Sequence, residues 1–316
     1  MQTRVKGISA ALMSAFFLGM APVFGKQAIQ AGMAPFAVVA IRTSAAALLL
    51  LLVVVLFFRR YLYIYPAGML ICFLAGGING IGSLFYYSAL GRLDASLGQL
   101  LYALYPLFLV LWLTMTGKRI SYITILRLGL AIPAVILLSQ TDTQTIDWIG
   151  IAQMLIAAAL YALHLPVNQH VLYDMPAPTV TLYTLIAMSL VVVPAYFING
   201  ISSLPALGAI SMPVIGLTLV TFFSRLTLFQ GVKNIGGMQT AILGLGELLV
   251  TVLFAHLWLD ERLTVAQWVG TGLLLVSLGL VIIDSANGSV KKSSWPNRLR
   301  PAATQELTFP ENKGKL

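Results

Sequence analysis

AAALLLLLVVVLFFRR, from Ala45 to Arg60, runs fourteen positions without a polar side chain and then stops on two arginines. Carried back to residue 34, it makes an apolar segment over 34–57, and a helix needs about 20 such residues to cross the hydrocarbon of a bilayer. The same pattern recurs outward in both directions. Apolar segments fall at 7–29, 66–90, 95–116, 121–139, 148–171, 178–199, 207–231, 237–258 and 264–284. Charged or turn-forming clusters separate them, among them Gly91-Arg92, Gly117-Lys118-Arg119, Thr141-Asp142-Thr143, Asp174-Met175-Pro176, Asn199-Gly200, Lys233-Asn234 and Asp260-Glu261-Arg262. The fold expected is all-α, a polytopic membrane bundle of about ten transmembrane helices.

Composition points the same way. Of 316 residues, 59% are hydrophobic and 9% charged, against roughly 25% charged in an average soluble domain. Mean hydropathy is +0.91, so most of the chain has lipid as its solvent. The net charge of +9 does not form a basic groove with interleaved aromatics, which sets a nucleic-acid partner aside. The cations mark topology instead. With the N-terminus inside, the inner loops carry Arg4, Lys6, Arg59, Arg60, Lys118, Arg119, Lys233, Lys291, Lys292, Arg298 and Arg300. The outer loops carry Arg92, Arg262 and Lys26 among five acids. Cytoplasmic loops of inner-membrane proteins are the Lys/Arg-rich ones, so both termini are expected in the cytoplasm. Met1 to Gly7 reads as the start of an uncleaved first helix. Residues 285–316 are polar, basic and proline-bearing, and read as a disordered cytoplasmic tail. Its cations suit anionic headgroups, at roughly 1 kcal/mol per charge.

Several chemistries find no residues to carry them. Cys72 is the one cysteine and stands in an apolar run, where it reads as a packing residue. No Cys/His cluster has metal-ligand spacing, and no phosphate loop, nucleophile elbow or dinucleotide fingerprint occurs. No cofactor, metal or catalytic residue is expected, and the chain does not read as an enzyme.

The two halves echo each other at a shift of about 143 residues. Residues 1–140 form a first five-helix unit and 148–284 a second. Pro22 corresponds to Pro166, and Leu104-Tyr105-Pro106-Leu107-Phe108 to Gly246-Glu247-Leu248-Leu249. Gly117-Lys118-Arg119-Ile120-Ser121 corresponds to Asp260-Glu261-Arg262-Leu263-Thr264. An odd number of helices per unit makes the second copy enter from the opposite face. Inverted repeats of this kind place a binding site near the midplane and permit alternating access.

At these residues the chain resembles the drug/metabolite transporter superfamily, in particular its EamA-like members. The resemblance covers roughly residues 5–285. It departs from the family pattern at Leu248, where a proline is usual, and at Lys118, where a glutamate is common. It implies a ten-helix bundle with a central cavity and the movement of amino acids or related metabolites.

Ionisable groups within the spans are the natural site candidates, because each costs roughly 2.5–3.5 kcal/mol at a helix centre. Glu247, near the middle of the ninth span, suits a substrate amine or a transported proton. Its alternative is a fixed ion pair with Arg225 in the eighth. Arg225 and Arg42 suit bidentate capture of a carboxylate, with snorkelling to an interface the alternative for Arg42. His164 precedes Pro166, whose missing N–H frees a carbonyl at mid-span, so His164 suits proton relay or substrate donation. Tyr102 and Tyr105 share a helix face before Pro106 and suit cavity walls with Tyr86, Tyr87, Asn79, Gln99 and Gln239. Gly76 and Gly80 make a small-residue face that reads as internal packing rather than a dimer contact, and nothing else argues for an oligomer.

The function expected is secondary transport of a small, amino-acid-like metabolite across the inner membrane, as an exporter with proton coupling through Glu247 and His164. Efflux of lipophilic cations is the alternative within the class. A scaffold or lipid-modifying enzyme is the alternative outside it.

Overall fold

The computed structural model describes residues 2–115, 122–138, 147–199, 207–244 and 246–286. The Gly117–Ser121 motif, Thr141-Asp142-Thr143, Gly200 and the tail from residue 287 lie outside them. The described residues are helical apart from short connections. The first half holds α1 (Gln2–Gln30), α2 (Pro35–Phe57), α3 (Pro66–Arg92), α4 (Ala95–Tyr102), α5 (Tyr105–Met115) and α6 (Tyr122–Leu138). The second holds α7 (Trp148–Asp174), α8 (Ala177–Ile198), α9 (Leu207–Ile235), α10 (Gly237–Gly244), α11 (Gly246–Leu259) and α12 (Val265–Ala286).

Local chemistry explains the boundaries. Gly32 adopts φ +96°, a conformation that ends α1 without a Cβ penalty. Proline opens α2 and α3, where its missing N–H costs nothing. Asp147 caps α7 by accepting from the Gly150 N–H at 2.9 Å.

Eight described segments are long and apolar enough to cross a membrane. One of them differs from the sequence expectation of a continuous helix. The segment over 95–116 is broken between Tyr102 and Tyr105, because Pro106 cannot donate to the Tyr102 carbonyl and its ring crowds that oxygen. The segment over 237–258 holds α10 and α11, and residue 245 between them lies outside the described residues. Tyr105, just after the break in the first half, reaches the second half: its hydroxyl donates to the Ala241 carbonyl of α10 at 3.0 Å.

The halves pack reciprocally. The first helix of each half lies along the third helix of the other, α1 on α9 and α7 on α3, while α2 meets α8 and α6 meets α12. Gly7 lies against Asn234 and Ile235, and Gly216 against Phe24, so α1 and α9 run antiparallel. Gly150 lies against Leu93, and Gly82 against Leu160, so α3 and α7 do the same. Lys26, near the end of α1, donates to the Leu90 and Leu93 carbonyls at the end of α3, at 3.0 and 2.7 Å. Gly76 and Gly80 bring α3 onto α8; a Cβ on Gly76 would stand 2.5 Å from that of Ala187. This is the internal packing that the small-residue face suggested.

Large apolar side chains cover the outside, among them Leu52, Leu56, Leu70, Leu74, Ile198, Met212 and Val265. A soluble protein does not expose such a surface. It is a lipid-facing belt, and the chain is a multi-pass membrane protein.

Candidate functional site

Buried polar side chains gather in the interior of the bundle, around a cavity of about 40 Å³. That is room for about three waters. Arg42, Tyr87 and Tyr102 reach it from α2, α3 and α4; Tyr161, Arg225 and Glu247 reach it from α7, α9 and α11. Both halves therefore contribute.

The two guanidiniums are held by neutral groups. Arg42 is 6% exposed. It donates to the Thr221 hydroxyl at 3.2 Å and to the Ser83 hydroxyl at 3.5 Å, and it lies 4.6 Å over the Tyr87 ring. Thr221 donates in turn to the Leu217 carbonyl, which leaves its oxygen lone pair turned to Arg42. Arg225 is 5% exposed. The Asn79 carbonyl oxygen accepts from both of its terminal nitrogens, at 3.0 and 3.3 Å. Each arginine keeps a buried Nε without a partner, and Glu247 keeps a buried Oε1 in the same condition. Among the described residues no ion pair joins Arg225 to Glu247. The fixed pair that the sequence left open is not what the structure contains.

Tyrosines make the remaining wall. Tyr86 donates to Gln99 at 3.2 Å, and its ring meets Tyr102 edge-on at 4.8 Å. Tyr161 lies 5.2 Å from Tyr102 and 4.9 Å from Tyr105. Such packed rings offer negative faces to a cation and rigid apolar edges to a side chain.

Of the residues singled out in the sequence, Glu247, Arg225, Arg42 and Tyr102 line the cavity together, as do Tyr86, Tyr87 and Gln99. Arg42 does not snorkel. Tyr105 and His164 stand behind the wall. Tyr105 bonds across to Ala241 of α10, and the His164 ring lies tilted against that of Tyr161 at 4.7 Å with Nδ1 2.6 Å from the Tyr161 carbonyl. His164 Nε2 is buried and unpartnered. Gln239 is a correction: it is exposed, on the face of α10 turned away from the cavity. Tyr161, Ser83 and Thr221 were not foreseen. Tyr161 had a signal, since it lies three positions before His164 and shares its helix face.

A second polar constellation closes one end of the bundle. Glu261, in the connection after α11, accepts from the Ala95 and Ser96 N–H groups at 2.8 Å each and from the Ser96 hydroxyl at 2.7 Å. It thereby caps α4, for which Asp94 makes no side-chain cap bond. Nearby Arg92 pairs with Asp147 at 3.2 Å, joining α3 to the start of α7. The Gly150 N–H, ahead of Arg92, holds the Asp147 carboxyl below its ordinary 3.8.

The sequence profile of the EamA-like transporter family matches residues 5–140 and again residues 148–283. The chain belongs to the EamA-like transporter family. This agrees with the drug/metabolite transporter resemblance and with a cavity shared by two like halves. Among curated proteins none matches the chain. A solved crystal structure, described only as "Crystal structure of protein", is similar with a TM-score of 0.63 at 15% identity, over 90% of this EamA-like chain and 99% of its own. At that identity the likeness concerns the fold alone.

Proposed function

We propose that this EamA-like protein is a secondary transporter of small amino-acid-like solutes, with the shared cavity as its binding site. The observation that carries the proposal is the set of buried, unpartnered polar atoms on Arg42, Arg225 and Glu247 around one cavity. Burying such charges costs several kcal/mol each unless something compensates them. An amino acid supplies a carboxylate for a guanidinium and an ammonium for Glu247 and the tyrosine faces. Arg225 is the carboxylate holder in this reading, because Asn79 fixes its orientation while Nε stays free.

The proposed topology has ten spans in two inverted five-helix repeats, with α4 and α5 forming one span and α10 and α11 another. Support comes from the antiparallel α1–α9 and α3–α7 pairs. The end of α3 lies beside the end of α1, while α9, its counterpart in the second half, runs against α1. The Lys/Arg distribution favours a plasma-membrane protein with both termini in the cytoplasm. A cavity of about 40 Å³ is far smaller than the roughly 300–1,000 Å³ of a drug-sized site. Solutes then enter only as one end of the bundle separates, which is the alternating access that inverted repeats permit. Glu247 exchanges a proton in each cycle, with His164 behind Tyr161 as its relay, and the working direction is export.

Efflux of lipophilic cations is favoured by Glu247 and the tyrosine faces but opposed by two arginines on the same wall. Proteoliposome counterflow separates the readings. The proposal expects amino-acid exchange that Arg225→Met abolishes and aromatic cations leave untouched. Exchange of aromatic cations without amino-acid exchange overturns it.

A further inference from the structure

The charges around the cavity do not balance. Arg42 and Arg225 bring two positive charges, and among the described residues Glu247 is the one carboxylate on the wall. Every hydrogen bond the guanidiniums make goes to a neutral group: Thr221 and Ser83 for Arg42, Asn79 for Arg225. Neutral acceptors orient a guanidinium without cancelling its charge, and in a water-poor interior the uncancelled charge attracts an anion strongly. A neutral amino acid, with one carboxylate and one ammonium, occupies one guanidinium and Glu247. The other guanidinium then remains buried at full charge.

We infer that the cavity selects acidic amino acids, holding one carboxylate at Arg225 and the other at Arg42. The inference rests on the proposed reading of the cavity as a transport site and narrows its substrate class. The halves share the task, since Arg42 comes from α2 and Arg225 from α9. An acidic amino acid places its two carboxylates on these arginines and its ammonium on Glu247. Solute and wall then sum to zero charge.

Acid and amide isosteres read this directly, because glutamate and glutamine differ in little but one negative charge. The full-length protein in lipid nanodiscs is titrated by calorimetry, at constant ionic strength, with L-glutamate, L-aspartate, L-glutamine and L-asparagine. The expected result is binding of each acid about tenfold or more tighter than its amide. Arg42→Met should erase that preference, and Arg42→Lys, which keeps the charge, should retain much of it. Equal affinity for acid and amide in the wild-type protein overturns the inference and leaves the amino-acid reading standing. So does a preference that survives Arg42→Met unchanged. Failure of all four compounds to bind overturns both. The wild-type comparison decides the matter even if Arg42→Met does not fold.

Discussion

Replacing Glu261 by alanine should open one end of the bundle. Its carboxylate caps α4 with three hydrogen bonds of 2.7–2.8 Å, two of them from backbone N–H groups. Loss of a helix N-cap costs about 0.5–2 kcal/mol, and removing a carboxylate from a helix N-terminus about 0.3–1 kcal/mol more. The site is half-buried, so water repays part of the lost bonding, and about 2 kcal/mol is a fair total. The exposed Arg92–Asp147 pair, with side chains 45% and 31% accessible, contributes little beside this. Separation of that end of the bundle breaks the Glu261 bonds, so their removal should favour the separated state by about thirtyfold. A cysteine placed at Leu18 on the cavity wall, in a Cys72→Ser background, reports this through its rate of reaction with a membrane-impermeant maleimide. Applied from the face bearing Glu261, the reagent should react much faster in the Glu261→Ala protein. An unchanged rate, with the protein folded, refutes the view that Glu261 holds this end closed.

Three other outcomes are expected. Glu247→Gln should leave insertion and folding intact while removing the pH dependence of transport; unaltered proton coupling in reconstituted vesicles takes Glu247 out of the mechanism. Gly76→Ala should destabilise the α3–α8 contact by about 1–3 kcal/mol, because the new Cβ meets Ala187 Cβ at 2.5 Å and the Thr184 carbonyl at 2.6 Å. Gly77→Ala, with nothing within 4 Å, should be harmless, and equal melting of the two variants in detergent contradicts the packing argument. Asp147 should stabilise the protein fully above 3.8, its ordinary value, and lose that effect as pH falls through its lower folded value. The melting difference between wild type and Asp147→Ala should therefore shrink on acidification below 3.8, and a difference that grows there contradicts the assignment.

Much of the fold was legible because lipid imposes a length. Runs such as Ala45 to Phe58 admit few readings, and the described helix ends mostly fall close to the expected segments. The helix break between Tyr102 and Tyr105 was less visible, since hydropathy does not register backbone hydrogen bonding. Pro106 was in view, but only the structure shows that a helix ends before it and that Tyr105 reaches Ala241 in the second half. For the site, the cost of buried charge picked out Arg42, Arg225 and Glu247 without a structure. It gave no guide to uncharged members, so Tyr161, Ser83 and Thr221 were missed and Gln239 was placed on the wrong face. Glu261 read as a loop charge because its partner, the start of α4, lies about 165 positions away in sequence.

The most direct test is a structure of the full-length protein in a lipid nanodisc with L-glutamate bound. The account predicts density between Arg42, Arg225 and Glu247, enclosed by two halves of opposite orientation. Glutamate density elsewhere with this cavity unchanged, or two halves running parallel, contradicts it.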